Sequence, residues 1–371
     1  MTATPRSRLL QKLDAEFEAA ARAGEQRRAQ VLRAQRAMLL ARQGDLPAAR
    51  EELTHLHQAA FASPHPELGA WLHLAEGLMT YYTDFGTAAI ERLQRALSLA
   101  QVAGAREAQV LALAYLAMLH MVNHRFDALG HSLERGLALA TEDDLQARAR
   151  LYLVIAMTLH HADDAEGAAP WYAKARACAT AAGDDAALSA LLHNNTQFRV
   201  AAVRRAALQG RAPALAGLLP GVQSMDNFDH ALGMHALTQV NPLLRAQVLV
   251  VTGAYAEALQ LFEAHLPHAL ATGLERMGSS MLADTAWCRA QLGQQEAALA
   301  QARESELEID PRCDTDDQAA THSRLAQVFS HLQLSDDAQR HGALAQQRWS
   351  DFAAEQARWR EVVRAALEKG H

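Results

Sequence analysis

Three segments of this chain can be laid over one another. Residues 39–50 read LLARQGDLPAAR, residues 248–259 read VLVVTGAYAEAL and residues 288–299 read CRAQLGQQEAAL. Each is an apolar helix end, then Gly, then two or three residues, then an Ala that opens a second helix. Glycine suits the left-handed position that ends a helix, because no Cβ clashes there. The small Ala lets the second helix lie close to the first. A two-helix unit of this kind cannot bury its apolar stripe alone, so copies must stack into one continuous core.

Weaker copies fill the intervals, among them YYTDFGTAAIERL, VNHRFDALGHSL, LHHADDAEGAAPWY, LQGRAPALAGLL and HLQLSDDAQRHG. The residue opening the second helix falls at Ala49, Ala89, Leu129, Ala168, Leu215, Ala258, Ala298 and Ala338, spaced by 40, 40, 39, 47, 43, 40 and 40. Twelve residues upstream, where the two helices of a pair should cross, lie Ala37, Gly77, Ala117, Ala156, Val203, Ala246, Ala286 and Ala326. Only Val203 breaks this run of small residues.

The pattern resembles the tetratricopeptide repeat over roughly residues 26–349, with Gly253 and Tyr255 in its Gly-x-aromatic turn. The usual period of 34 residues is about 40 here, and most copies lack the Pro that ends the second helix. Long-period arrays of this kind are similar to sensor regions of large bacterial transcription activators and to peptide-receptor regulators. HEAT repeats have a comparable period but lack the Gly-x-aromatic-x-x-Ala turn. The resemblance implies an all-α, right-handed superhelical solenoid of about eight helix pairs with capping helices.

The corresponding division is an N-terminal capping helix in 1–25, repeats 1–5 in 26–216, an insertion or irregular junction in 217–240, repeats 6–8 in 241–348 and a C-terminal capping helix in 349–371. The insertion is placed by the two long gaps and by Gly217, Pro220 and Gly221, which read as loop punctuation. It is either a functional loop or a relaxed junction between two halves. Asn241-Pro242 reads as an N-cap followed by Pro at the first helical position, or as a kink.

Composition supports the helical reading and narrows the function. Half of the residues are hydrophobic, only 5% are aromatic, and Ala and Leu dominate. A net charge of −7 argues against a general nucleic-acid binder. Residues 1–42 hold nine Arg/Lys against four Asp/Glu, and residues 304–317 hold seven acids against one Arg. Opposite ends would suit head-to-tail association, or simply two solvated faces. Cys178, Cys288 and Cys313 match no metal or redox spacing, and the N-terminus has no apolar stretch of a signal peptide, so a cytoplasmic protein is expected. No apolar run is long enough to span a membrane. Scarce Lys beside abundant Arg and Ala points to a GC-rich bacterial genome.

The segment LHHADDAEG at 159–167 suggests a metal site, but the repeat register puts Asp163-Asp164 in a turn where Asp caps the next helix. Asp143-Asp144, Asp184-Asp185 and Asp336-Asp337 punctuate other junctions in the same way. There is no Gly-rich phosphate loop, no G-x-S-x-G and no H-E-x-x-H. No catalytic residue, metal or cofactor is therefore expected, and the chain is read as non-enzymatic.

The resemblance also implies a groove lined by the first helix of each pair. Carried over copy by copy, its lining includes Gln35, Met38 and Arg42, then Trp71, Tyr81 and Tyr82, then Tyr115, Met118 and Met121. Arg150, Met157, His160 and His161 follow, then His193, Gln197 and Arg204 with Asn194 on the same helix. Later copies give Gln247, then Asp284, Trp287 and Gln291, then Arg324, Gln327 and His331. Copies two and three are rich in aromatic residues and Met, suited to apolar contacts. Copies four and five are rich in His and Arg, suited to carboxylates or peptide carbonyls. The expectation is a scaffold holding a partner protein or peptide, acidic in part. The alternative is a ligand- or peptide-responsive regulator acting through another chain, for which Asn194 and Asn195 would grip a peptide backbone. An enzyme with a site between repeats is the third reading. The fifth helix places His193, Gln197 and Arg204 on one stripe and leaves Asn195 in line with Leu191, Phe198 and Ala202, towards packing.

Overall fold

The structure, a computed structural model, describes residues 7–84, 87–232, 240–271, 278–310 and 313–370. All regular structure among them is helical. The first nine helices are α1 (Arg8–Arg22), α2 (Gln26–Gln43), α3 (Leu46–Ala62), α4 (Pro66–Asp84), α5 (Ala89–Ala103), α6 (Arg106–Val122), α7 (Phe126–Leu139), α8 (Leu145–His161) and α9 (Ala165–Ala182). Then come α10 (Asp185–Leu208), α11 (Leu218–Leu232), α12 (Val240–Thr252), α13 (Tyr255–Ala269), α14 (Gly278–Gln291), α15 (Gln295–Leu307), α16 (Thr315–His331) and α17 (Ser335–Lys369).

The chain divides into two compact units. Among the described residues the first holds 7–192, 227–232 and 357–370, and the second holds 193–226 and 240–356. In the first unit α2 packs on α3, α4 on α5, α6 on α7 and α8 on α9. The first helices of successive pairs also pack on one another, α2 on α4, α4 on α6 and α6 on α8. In the second unit α12 pairs with α13 and α14 with α15, and α14 also contacts α12 and α16. Pairing within a repeat and stacking of first helices between repeats are what a helix-pair array requires.

The register read from the sequence is the packing register in most copies, with Ala326 and Ala338 only half-buried. Ala49, Ala89, Leu129, Ala168, Ala258 and Ala298 are fully buried, as are Ala117, Ala156, Ala246 and Ala286 at the crossing positions. At Gly77 a Cβ would lie 2.9 Å from Leu93 Cδ2 and 3.6 Å from the Ala89 carbonyl. Gly77→Val is expected to force α4 and α5 apart and cost about 1–3 kcal/mol, read as a lower urea midpoint. An unchanged midpoint would show that the crossing tolerates a side chain.

The turns explain how copies without glycine keep the motif. Gly44 and Gly253 have φ +85° and +82°, and His124, Asp163 and Gln333 take the same left-handed conformation in their copies. Each turn then makes the same two closing bonds, for example Gln333 N–H to Ser330 O at 3.1 Å and Leu334 N–H to Phe329 O at 2.8 Å. A left-handed backbone costs a non-glycine residue roughly 1–2 kcal/mol. Exposed Gln333→Gly should therefore raise stability by about 1 kcal/mol, less whatever the freer unfolded chain takes back. A lower melting temperature would contradict this.

Three expectations need correction. The loop expected at 217–230 is mostly helix, α11, with Leu218, Val222 and Met225 buried at helical spacing. Pro220 obscured it, yet proline is tolerated in a first helical turn, where backbone N–H groups have no intrahelical acceptor. The rest of the expected 217–240 insertion, 233–239, lies outside the described residues. Leu215, expected to open a second helix, sits in no helix and is 37% exposed. The separate C-terminal capping helix at 349–371 does not begin there, because α17 runs unbroken from Ser335 to Lys369. No proline interrupts that span. Its start is helix B of the last copy, and Trp349 near its middle donates from Nε1 to Ser323 Oγ at 2.9 Å. Its end belongs to the first unit, where Trp359 is 1% exposed against Phe126 at 4.4 Å and His124 at 5.3 Å. Asn241 and Pro242 both lie within the described part of α12, with Asn241 buried.

Candidate functional site

Each unit gathers arginines from its first helices around a buried aspartate. In the first unit Arg42 stands in the last turn of α2, Tyr82 on α4, Tyr115 and Met118 on α6, and Arg150 on α8. Asp184, in the turn before α10, completes the cluster. Arg42 Nη2 reaches Asp184 Oδ1 at 2.8 Å, with both side chains buried. The same oxygen accepts the Ala187 N–H at 2.9 Å, so Asp184 caps α10 as well as pairing with an arginine. Arg150, 6% exposed, lies with its guanidinium 5.0 Å from the Tyr115 ring centroid and donates to Met118 Sδ at 3.4 Å.

Burial works against the charge of Arg42, but Asp184 and the two tyrosines outweigh it and hold its pKa above the ordinary arginine value. Burial likewise opposes Arg150, and Tyr115, Tyr82 and Asp184 offset it while Arg42 repels it. Tyr82 is pushed above its ordinary pKa, by burial first. Beside the cluster, α1 is tied to the same turn. Leu9 N–H donates to Gly183 O at 3.0 Å, Arg8 Nη2 pairs with Asp185 at 2.8 Å, and Gln43 donates to Ser7 Oγ at 2.8 Å. A crevice of about 10 Å³, lined by Arg42, Tyr115, Gln146, Arg150 and Leu191 among others, remains in the middle.

In the second unit one carboxylate takes two arginines. Asp284, on α14 and fully buried, receives Arg204 Nε at 2.8 Å on one oxygen and Arg324 Nε at 2.7 Å on the other. Arg204 also donates to Ser280 O at 3.0 Å, and Arg324 to Gln327 at 2.6 Å while lying 5.4 Å over Trp287. Asp317 accepts from Ser280 Oγ at 3.2 Å. Burial and then Asp316 and Asp314 lift it well above the usual carboxylate range, against the pull of Arg204.

The residues named from the sequence as binding residues fall into two groups. Trp71, Tyr115, Arg150, His193 and Arg204 are buried, so they are not the solvated groove wall expected of them. Trp71 is a core residue at 2% exposure. The reason is that first helices stack on one another, which turns the long side chains of that stripe into packing. Tyr81, His160, His161, Asn194 and Gln197 are half-buried. Tyr81 meets Tyr82 edge-on at 5.1 Å, His160 Nδ1 lies 3.4 Å from the Tyr172 hydroxyl, and His161 lies edge-on to Trp359 at 5.4 Å. Arg150, His193 and Arg204, expected to form a basic patch, are each buried within their own unit. Arg150 belongs to the first unit and the other two to the second. Arg204 is neutralised by Asp284, and burial pushes the His193 imidazole down to about 4, so it is neutral at pH 7. Asn195 is half-buried, but Ala202, expected to share its packing face, is exposed.

Asp163-Asp164 behave as the repeat register requires, with Asp164 Oδ1 accepting the Gly167 N–H at 2.8 Å. Sequence reasoning missed Asp184 as a member of the cluster because it read only its capping role. The signal was the neighbouring pair itself: capping one helix needs one carboxylate, and Asp184 provides it while Asp185 bonds Arg8.

No family model matches the chain, and no curated protein matches it. Solved structures do. A Rap protein complexed with competence and sporulation factor is similar over 88% of this chain and 99% of its own, with a TM-score of 0.55 and 11% identity. The fold is that of a tetratricopeptide-like repeat protein. At that identity the likeness is one of fold. A signal transduction ATPase with numerous domains from Pyrococcus horikoshii, which carries a tetratricopeptide repeat sensor, is similar over 87% of this chain, with a TM-score of 0.49 and 13% identity. This chain spans about half of that one, 52%. Among the described residues no helix of the tetratricopeptide-like array is long and apolar enough to cross a membrane.

Proposed function

We propose that this tetratricopeptide-like protein is a non-enzymatic scaffold that holds a peptide or a segment of a partner protein. The observation that carries the reading is the layering of the first-helix stripe. Its arginines are buried and held, while Tyr81, His160 and, in the second unit, Gln197 remain half-buried above the packing. Such residues offer aromatic surface and hydrogen bonds at little further ordering cost, because their helices are already fixed.

A Tyr81→Ala/His160→Ala variant, with both changes in the first unit, leaves every ion pair described above intact. Affinity capture from the native host should lose its partners by tenfold or more relative to the unaltered chain, with the helical circular dichroism spectrum unchanged. Equal recovery of the same partners would sink the reading.

The fold likeness to a Rap protein solved with competence and sporulation factor favours a finer form of it. In that form the chain is a ligand-responsive regulator in a bacterial cytoplasm that acts through another chain. Ligand binding would then alter its association with that chain, which capture with and without the ligand would detect.

A further inference from the structure

The two arginine clusters differ in one respect. In the second unit Arg204 and Arg324 each bond one oxygen of Asp284, so both guanidinia have a carboxylate. In the first unit Asp184 bonds one arginine, Arg42, and spends the same oxygen on the Ala187 N–H. Arg150 is as deeply buried, yet its contacts are a thioether sulfur and an aromatic ring. Arg42 adds a second shortfall, because its Nε is buried and has no hydrogen-bond partner. The adjacent Asp185 does not help, since Arg8 occupies it through both its backbone N–H, at 3.0 Å, and its guanidinium. The layer therefore holds two buried cations against one buried anion, and such an excess charge is costly in a dry environment.

The crevice between these groups measures about 10 Å³, roughly the space one water molecule needs. Its polar lining comprises Arg42, Arg150, Tyr115 and Gln146, which offer N–H and O–H donors. Its remaining lining is Ala149, Leu153, Ala187 and Leu191, which would exclude a large hydrated ion. We propose that this crevice is a site for one small monovalent anion stripped of its hydration shell, with chloride as the physiological ligand. The anion takes the place that the second oxygen of Asp284 takes in the other unit. It sits against Arg150 and the Nε of Arg42, balances their charge and ties α2 and α8 to the turn that carries Asp184.

The test is a melting curve of the intact chain at constant ionic strength while sodium gluconate is replaced by sodium chloride. A saturable rise of roughly 2–4 °C is expected by 100 mM chloride, and bromide should act similarly. In Arg150→Met the rise should vanish, and that variant should melt in gluconate no lower than the unaltered chain, because the excess charge is gone. Arg150→Lys should keep the rise at a higher chloride midpoint. Crystals soaked in bromide should show an anomalous peak within hydrogen-bond reach of Arg150. Equal melting in chloride and gluconate, or a rise that survives in Arg150→Met, overturns the proposal. Should Arg150→Met fail to fold, the bromide peak decides, and its absence overturns the proposal. None of these outcomes bears on partner capture, which is tested on other residues.

Discussion

Asp284→Ala is expected to destabilise the chain by about 3–5 kcal/mol, the largest effect of any single substitution considered. Fully buried Asp284 is the shared acceptor for Arg204 and Arg324, and removing it leaves two desolvated guanidinia without a counter-charge. Denaturation followed by circular dichroism would show it as a fall in the urea midpoint. Asp284→Asn separates shape from charge. It keeps the volume and one acceptor, so a loss nearly as large as that of alanine assigns the effect to charge. A variant replacing Arg204, Arg324 and Asp284 together with Met, Met and Leu should recover most of the loss, since well-packed apolar groups commonly match a buried ion cluster in stability. If Asp284→Ala costs less than about 1 kcal/mol, the cluster is wet and its apparent burial misleading.

Mild acid should weaken the fold before any carboxylate of ordinary pKa is titrated. Burial pushes His193, His120 and His322 each down to about 4, whereas an unfolded histidine titrates near pH 6.5. The unfolded chain therefore binds protons first as pH falls, and stability drops between about pH 6.5 and pH 4. For fully enclosed His193 the loss approaches roughly 3 kcal/mol at the lower end. Asp317 runs the other way, since its raised pKa makes it contribute stability in acid that is lost as pH rises. The carboxylates held low by arginines, Asp337 at about 2 among them, respond only further down. Urea midpoints at pH 7, 5.5 and 4.5 should fall steadily, and His193→Asn should flatten part of that fall. A midpoint constant from pH 7 to 4.5 would refute the assignment.

The helix pairs were legible because their signals are local. A Gly turn, a small residue at the crossing and an Ala twelve residues later each act within one copy, and repetition multiplied a weak pattern into a clear one. Gly77 against Leu93 and the buried Ala series follow directly from it. Helix α11 was not legible, since Pro220 and Gly221 resemble loop punctuation unless one knows that they stand in a first turn. Nor was the continuity of α17, because an expected terminal cap suggested a boundary where the chain has none.

By itself the sequence determined where most of the helices lie, how the pairs repeat and which small residues let them touch, for these depend on backbone sterics and spacings of a few residues. Only the tertiary structure decided which arginine meets which aspartate. Arg42 and Asp184 lie 142 residues apart, and Arg204 and Asp284 lie 80 apart. Their meeting depends on how far one repeat is displaced from the next, a quantity accumulated over several crossings. Burial then converted the expected basic groove into packed ion pairs, and left Arg150 with charge to spare.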